Sequence, residues 1–299
     1  MSALLLCFFC WPGDGAASPA QLYERAVRKT IEQAAELVQR AATLWEDHST
    51  WDHAWQVRTA HYSVRTTHSR YLANDLAQGL EQMLGHFQRL LATSYAPSEP
   101  LAILIFPSLT DYNQFGRQFG QHSSIYGSFY ADEQPERAVA TYYTSNTTLL
   151  RMWVTHSAAH QFIDHALRKH AAPTWIEEGL ASYFALYWDY RFGVQELARM
   201  KRANQLLPLE NLLASPLEQY GTNPDGRFLE LAMWFTYMLQ FREDTKSVEH
   251  DDGSVSAPFA DYLRLQLEGK STRGHPVEQL LERQLNELDE EFRDFDFPA

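Results

Sequence analysis

The chain has 299 residues, of which 45% are hydrophobic and 13% are aromatic. This length and composition suffice for a sizeable core, in one large domain or two small ones, and they exclude an intrinsically disordered chain. The formal net charge is −13, and lysines and arginines are spread thinly along the sequence. Because phosphate binding needs clustered basic side chains, we expect no nucleic-acid partner, and we attribute the acidity to solubility.

Both cysteines, Cys7 and Cys10, lie in an apolar N-terminal run at residues 3–11. The run has the length of a signal-peptide core and is too short to span a bilayer. Small residues follow it, so we predict a signal peptide at residues 1–17, although no lysine or arginine precedes the run. Its removal would leave residues 18–299, a chain without cysteine and with no other apolar run that approaches the ~20 residues of a membrane span. We expect a secreted or periplasmic protein, or a cytoplasmic one if this segment is not a functional signal.

The first half of the chain is predicted to contain both helices and strands. Apolar residues recur at helical spacing from Pro19 to about Asp47, which predicts one long amphipathic helix. Alternating residues from Ala54 to His68 indicate a strand or a hairpin arm. The next predicted elements are a helix at Arg70–Leu91, a strand at Leu101–Phe106, a helix at Thr110–Phe119, and strands at Ile125–Ala131 and Arg137–Tyr143.

Beyond Thr147 the whole pattern is helical, with proline and glycine clusters between segments and a surface loop at Asp251–Ser254. This order predicts an α+β protein, with a small mixed sheet before about residue 146 and a mostly helical part at residues 147–299. We expect a single domain over residues 18–299. The predicted helices are Thr147–His170, Thr174–Tyr190, Val194–Leu206, Arg227–Glu243, Pro258–Glu268 and Pro276–Phe295.

A histidine pair lies in the first of these helices, in the sequence Thr-His-Ser-Ala-Ala-His-Gln at residues 155–161. His156 and His160 are four residues apart, so both imidazoles project from one helix face and can bind the same Zn²⁺. Such a pair arises easily by chance in a chain with 12 histidines. The sequence Trp-Ile-Glu-Glu-Gly-Leu-Ala-Ser-Tyr-Phe follows at residues 175–184, and the joint pattern is much rarer.

Together the two sequences resemble the pattern of the gluzincin metallopeptidases, and among them the peptidase-MA-like bacterial proteins of mostly unknown function. The resemblance is strongest from Thr148 to Phe184. It implies a zincin-like fold and a zinc site in which His156, His160 and Glu178 are the protein ligands. A catalytic zinc ion of this kind keeps one further position open for water.

Two positions depart from the family pattern. Ser157 occupies the place of the glutamate that acts as the general base, and help of that type is typically worth ~10²- to 10⁴-fold in rate. A serine hydroxyl can hydrogen-bond a water but cannot hold its proton. Ser182, four residues after Glu178, stands where related proteins often carry an acidic residue that orients a zinc ligand. The resemblance therefore implies a catalytically impaired protein, a pseudopeptidase.

Two other carboxylates lie near the motif. Glu177 is an alternative base, although neighbours on a helix point ~100° apart, and only a helix start at that place would let both glutamates face the metal. Asp164 lies one turn beyond His160 and either hydrogen-bonds its imidazole or is a solvated carboxylate. A nucleophilic role for Ser157 is disfavoured, because no Gly-x-Ser-x-Gly sequence surrounds it.

Three functions follow from these observations, and we expect the first. The protein is a pseudopeptidase that binds zinc for structure, or that holds a peptide or polymer ligand in the cleft without cleaving it. The second is an active zinc-dependent hydrolase that uses Glu177 as its base. The third is a metal-free extracytoplasmic binding or scaffold protein, in which the two histidines are packing residues.

Overall fold

The chain divides into two compact units, residues 1–47 and residues 48–299, in the computed structural model. The first unit contains the predicted long helix, α1 (Pro19–Leu44). The predicted signal peptide and both cysteines lie outside the described residues, and the prediction of one domain over residues 18–299 stays a prediction. The structure describes residues 19–44, 47–91, 93–119, 127–131, 137–167, 173–186, 190–215, 227–241, 248–249, 255–256, 258–267 and 284–295.

A five-stranded mixed sheet forms the centre of the second unit. Its spatial order is β1-β2-β3-β5-β4, with β2, β3 and β5 parallel and the two edge strands, β1 and β4, antiparallel to their neighbours. The prediction of strands in this part of the chain is confirmed, and the segment from Ala54 to His68 is a hairpin. The strands are β1 (Trp55–Arg58), β2 (Tyr62–Thr66), β3 (Leu101–Phe106), β4 (Ser128–Tyr130) and β5 (Ala138–Tyr142).

Two of the parallel strands lead directly into helices that begin at a serine cap. Ser69 Oγ accepts a hydrogen bond from the N–H of Leu72 at the start of α2 (Arg70–Leu90), and Ser108 caps α3 (Leu109–Gly116) in the same way. These caps satisfy backbone donors that the helix itself leaves unpaired. The last three residues of the predicted Thr110–Phe119 helix form a 3₁₀ turn.

The helical half differs from the prediction in several places, and none of its described helices is long and apolar enough to cross a membrane. The chain beyond Thr147 is not wholly helical, because β6 and β7 pair as a short antiparallel ribbon around the predicted loop at Asp251–Ser254, which itself lies outside the described residues. Gln284 has an extended backbone, so the predicted Pro276–Phe295 helix is wrong at that residue. The elements are α4 (Thr147–Leu167), α5 (Thr174–Ala185), α6 (Tyr190–Arg202), α7 (Leu209–Ala214), α8 (Arg227–Phe241), β6 (Val248–Glu249), β7 (Val255–Ser256), α9 (Pro258–Leu267) and α10 (Leu285–Asp294).

Helices cover both faces of the sheet. α2 and α4 pack on one face and α3 packs on the other, as expected for parallel strands that are buried on both sides. At the centre of the larger core, the ring of Phe87 stacks on Phe162 of α4 at 4.5 Å and on Phe184 of α5 at 3.7 Å between centroids. This aromatic contact holds together the two helices that carry the predicted metal ligands.

Candidate metal centre

Helix α4 is anchored to the sheet beside its histidines. Gln161, which is fully buried, donates from Nε2 to the carbonyl oxygens of Ala102 at 3.2 Å and Arg137 at 3.1 Å. On another side of the helix, the Arg151 guanidinium binds the Asp75 carboxylate of α2 at 2.6 Å. These contacts fix both the axial position of α4 and its rotation, and therefore the direction in which its histidines point.

Helix α5 places Glu178 through an unusually close contact with α8. A Cβ at Gly179 would lie 2.5 Å from Thr236 Oγ1 and 2.8 Å from the Ala232 carbonyl oxygen, so no larger residue fits without a shift. Gly179 belongs to the second sequence motif, whereas no sequence signal points to Thr236. Nothing in the local sequence relates two residues that are more than fifty positions apart.

The structure brings His156, His160 and Glu178 together in one cluster. The two imidazole Nε2 atoms lie 3.3 Å apart, and the Glu178 carboxylate oxygens lie 3.4 Å from His156 Nε2 and 3.6 Å from His160 Nε2. One ligand atom from each residue lies within 4.8 Å of the other two, so the cluster could hold a metal ion. Two helices, joined by the segment that contains Pro173, supply all three side chains.

For His156 and Glu178, burial and charge favour the protonation states that bind metals. Burial lowers the pKa of His156, although the nearby Glu178 carboxylate partly opposes this effect. Burial would raise the pKa of Glu178, but the charge of His160 and hydrogen bonds from both imidazoles outweigh it and hold that pKa below its ordinary value. A neutral imidazole and an ionised carboxylate are the forms that coordinate a cation.

The hydroxyl of Ser182 contacts the ring nitrogen of His156 that faces away from the cluster. Its Oγ lies 3.4 Å from His156 Nδ1, and both side chains are buried. A partner at Nδ1 helps to hold the ring orientation, which leaves Nε2 directed at the other two residues. The sequence resemblance predicts an acidic residue at position 182. Ser182 instead places a neutral hydroxyl oxygen beside His156 Nδ1.

Ser157, at the position of the missing base, is tied to the edge strand β4. Its Oγ lies 2.8 Å from Ser128 Oγ, and Ser128 Oγ donates to the carbonyl oxygen of Trp153 at 2.8 Å. Since each hydroxyl has one proton and the carbonyl can only accept, Ser157 is the donor to Ser128. The Ser157 proton is therefore used in a contact between helix and strand.

Asp164 forms a second link between α4 and this end of the sheet. Its Oδ2 accepts hydrogen bonds from the Tyr130 hydroxyl at 2.6 Å and from Arg137 Nη2 at 2.7 Å. Tyr130 belongs to β4, and Arg137 immediately precedes β5. The carboxylate is buried and ion-paired, so the interpretation of Asp164 as a solvated group is wrong, whereas its predicted bond to His160 stays a prediction.

Glu177 lies in the first turn of α5, where its backbone N–H donates to the Pro173 carbonyl oxygen at 3.4 Å. The side chain is half-buried. Within the part of the chain that the structure describes, the cluster that could hold a metal consists of the other three residues and does not include Glu177. Its role as an alternative base stays a prediction.

No family model matches the sequence, and no curated protein matches it.

Proposed function

We propose that this chain is a zinc-binding, gluzincin-like pseudopeptidase, in which His156, His160 and Glu178 hold Zn²⁺ and no side chain at position 157 serves as a base. The observation that carries the proposal is the spacing of the two imidazole nitrogens and the Glu178 carboxylate. Zinc bonds to nitrogen and oxygen are about 2.0–2.2 Å long, so neighbouring ligand atoms in a tetrahedral site are about 3.3–3.6 Å apart. The 3.3 Å between the two Nε2 atoms fits that requirement. Each Nε2 also has a different Glu178 carboxylate oxygen near it, Oε2 at 3.4 Å from His156 and Oε1 at 3.6 Å from His160.

The donor set also favours zinc over the harder cations. Two imidazoles and one carboxylate suit zinc, whereas calcium and magnesium prefer six or more oxygen ligands. The side chains of His156 and Glu178 are each 11% exposed, and that of His160 is 24% exposed. Access to the cluster is therefore best from the side of His160.

Bound zinc would act as a Lewis acid and lower the pKa of a coordinated water. Peptide hydrolysis also needs a group that accepts the proton of that water and delivers it to the leaving amine. The hydroxyl of Ser157 cannot accept the proton of that water near neutral pH. Its own proton is directed to Ser128. We infer that this chain binds the metal for structure, or holds a peptide or polymer ligand near it, without cleaving that ligand.

Zinc stoichiometry of the purified protein tests the proposal. We expect one zinc per chain in the unaltered protein and in His86→Ala, which removes an exposed histidine of α2, and less than a tenth of that in His156→Ala. Casein hydrolysis should be the same in the zinc-loaded protein and in His156→Ala.

Two results would contradict the proposal in different ways. Zinc absent from the unaltered chain would favour the metal-free scaffold. Chelator-sensitive casein hydrolysis at rates typical of zinc proteases would favour an active hydrolase, and the loss of that activity in Glu177→Gln would identify the base.

A further inference from the structure

The contact between Ser157 and Ser128 leaves little space on the helix side of β4. The two Oγ atoms are at hydrogen-bonding distance, 2.8 Å, and the side chains are 2% and 4% exposed. A glutamate carboxylate oxygen lies two bonds farther from Cβ than a serine hydroxyl does. A longer side chain at position 157 that follows the present direction of Ser157 therefore meets Ser128 before it can extend.

Strand β4 is held closely between α4, β5 and the aromatic cluster under α3. Just before the strand, Gly127 has φ +69° and lies against the indole of Trp153, where an added Cβ would be 2.5 Å from the ring. The carbonyl oxygen of Gly127 accepts a hydrogen bond from Thr141 Oγ1 at 2.7 Å, which ties it to β5. On the opposite face of β4, Phe129 is packed in the aromatic cluster under α3.

The serine pair is also unsuited to hold a buried negative charge. A buried carboxylate is costly unless donors satisfy it. The hydroxyl of Ser128 has one proton, and Ser128 donates it to the carbonyl oxygen of Trp153. A carboxylate at position 157 would have to break that bond to obtain a donor from β4.

We propose that Ser128 also prevents a general base from functioning at position 157. A carboxylate there reaches its working position only when Ser128 is made smaller as well. This inference rests on the proposed zinc site and extends it to the edge strand. The absence of the base then depends on two residues that are 29 positions apart and that contact each other. One substitution does not reverse it.

A double-mutant cycle of Ser157→Glu, Ser128→Gly and the combined variant tests this inference. The Ser128→Gly single variant measures the ordinary cost of glycine in a strand, which cancels in the cycle. Zinc content, Tm and the chelator-sensitive hydrolysis of labelled casein are measured for all four proteins.

We expect Ser157→Glu to lower Tm and to stay inactive. The combined variant should melt about 3 °C or more above Ser157→Glu, although Ser128→Gly alone lowers Tm. It should also hydrolyse casein at least ~100-fold faster than Ser157→Glu, the lower range of general-base help.

The inference is overturned if the combined variant melts no higher than Ser157→Glu, if Ser157→Glu alone is as active as the combined variant, or if the combined variant binds zinc and remains inactive. Failure of the proposed function is recognised separately, because zinc would then be missing from the unaltered protein as well. In that case the Tm comparison still decides whether Ser128 restricts position 157.

Discussion

His61 and Glu81 form a closed pair near the start of the sheet: the imidazole Nδ1 and the backbone N–H of His61 each lie 2.7 Å from a carboxylate oxygen of Glu81. His156 and His160 approach Glu178 differently, because their Nε2 atoms remain 3.4 and 3.6 Å from its oxygens and 3.3 Å from each other. The same residue types thus form two different arrangements in one molecule.

The difference distinguishes a cluster that could hold a metal ion from an ion pair. In the first pair the polar atoms satisfy each other directly, at distances typical of charge-assisted hydrogen bonds. In the second cluster two imidazole nitrogens and one carboxylate face one another at separations that are long for hydrogen bonds, and the three residues could hold one cation. The second cluster is also the more buried, with side-chain exposures of 11% for His156 and 11% for Glu178 against 28% and 22% in the pair.

The largest expected effect comes from removing one carboxylate charge from each arrangement. We expect Glu178→Gln to weaken zinc binding by more than ~100-fold, because even loss of an outer partner of a ligand typically costs 10- to 100-fold. Glu81→Gln should leave zinc affinity unchanged and lower the free energy of unfolding by up to ~1 kcal/mol, as for a partly exposed ion pair. Competition with a chromogenic chelator and urea unfolding measure the two quantities, and equal zinc affinities in the two variants would remove the distinction.

The backbone around the two glutamates provides the next test. We expect Gly179→Ala to destabilise the protein by about 1–3 kcal/mol, because its Cβ would overlap Thr236 and Ala232 of α8. Gly85 on α2 is the matched control, since its added Cβ would meet only an Arg89 side-chain nitrogen at 3.6 Å. Gly85→Ala should be neutral or stabilise by up to ~1 kcal/mol. Thermal unfolding of both variants checks this, and similar Tm values would argue against the close helix contact.

A smaller effect is expected at the outer nitrogen of His156. Ser182→Ala removes the oxygen that lies 3.4 Å from Nδ1, and we expect zinc affinity to fall by about tenfold. The Tm of the metal-free protein should change little, because the removed contact is long and uncharged. Ser182→Asp, which restores an acidic partner, should instead strengthen zinc binding. An unchanged affinity in both variants would show that Ser182 does not orient the ligand.

The smallest expected effects are on the pH dependence of stability. The His156 cluster and the His61–Glu81 pair should lose stability in different pH ranges. Burial lowers the pKa of His156 in the folded protein, so the unfolded chain takes up a proton first as the pH falls below about 6.5. Metal-free protein should therefore lose stability from that pH downward, and His156→Ala should lack this loss. Burial would raise the pKa of Glu81, but hydrogen bonds from Thr59 and His61 lower it overall, so its contribution persists until the pH falls below about 4.5.

Urea unfolding of the metal-free proteins between about pH 2.5 and pH 7.5 measures both ranges, with His156→Ala and Glu81→Gln as references. A His156-dependent change confined to pH values below 4.5 would contradict the assignment.

Much of the candidate site was predictable because its determinants are local. The spacing of His156 and His160 places them on one helix face, and the second motif starts a helix after Pro173. The strand at Leu101–Phe106 was predicted with its observed limits, since a short apolar run before a proline is a strong local signal. Element ends such as Gln284 were not predictable, because the helical pattern continues through them.

The sequence by itself determined the periodicity of the main elements, the α+β order and the four-residue separation of the histidines, since these follow from backbone geometry over a few residues. Only the tertiary structure decided which distant residues meet them: Ser128 with Ser157, Thr236 with Gly179, and the Tyr130 and Arg137 side chains with Asp164. Those contacts depend on how strands and helices pack across the chain. The distance between Glu178 and the histidines is set in the same way, by the packing of α5 against α4 and α8.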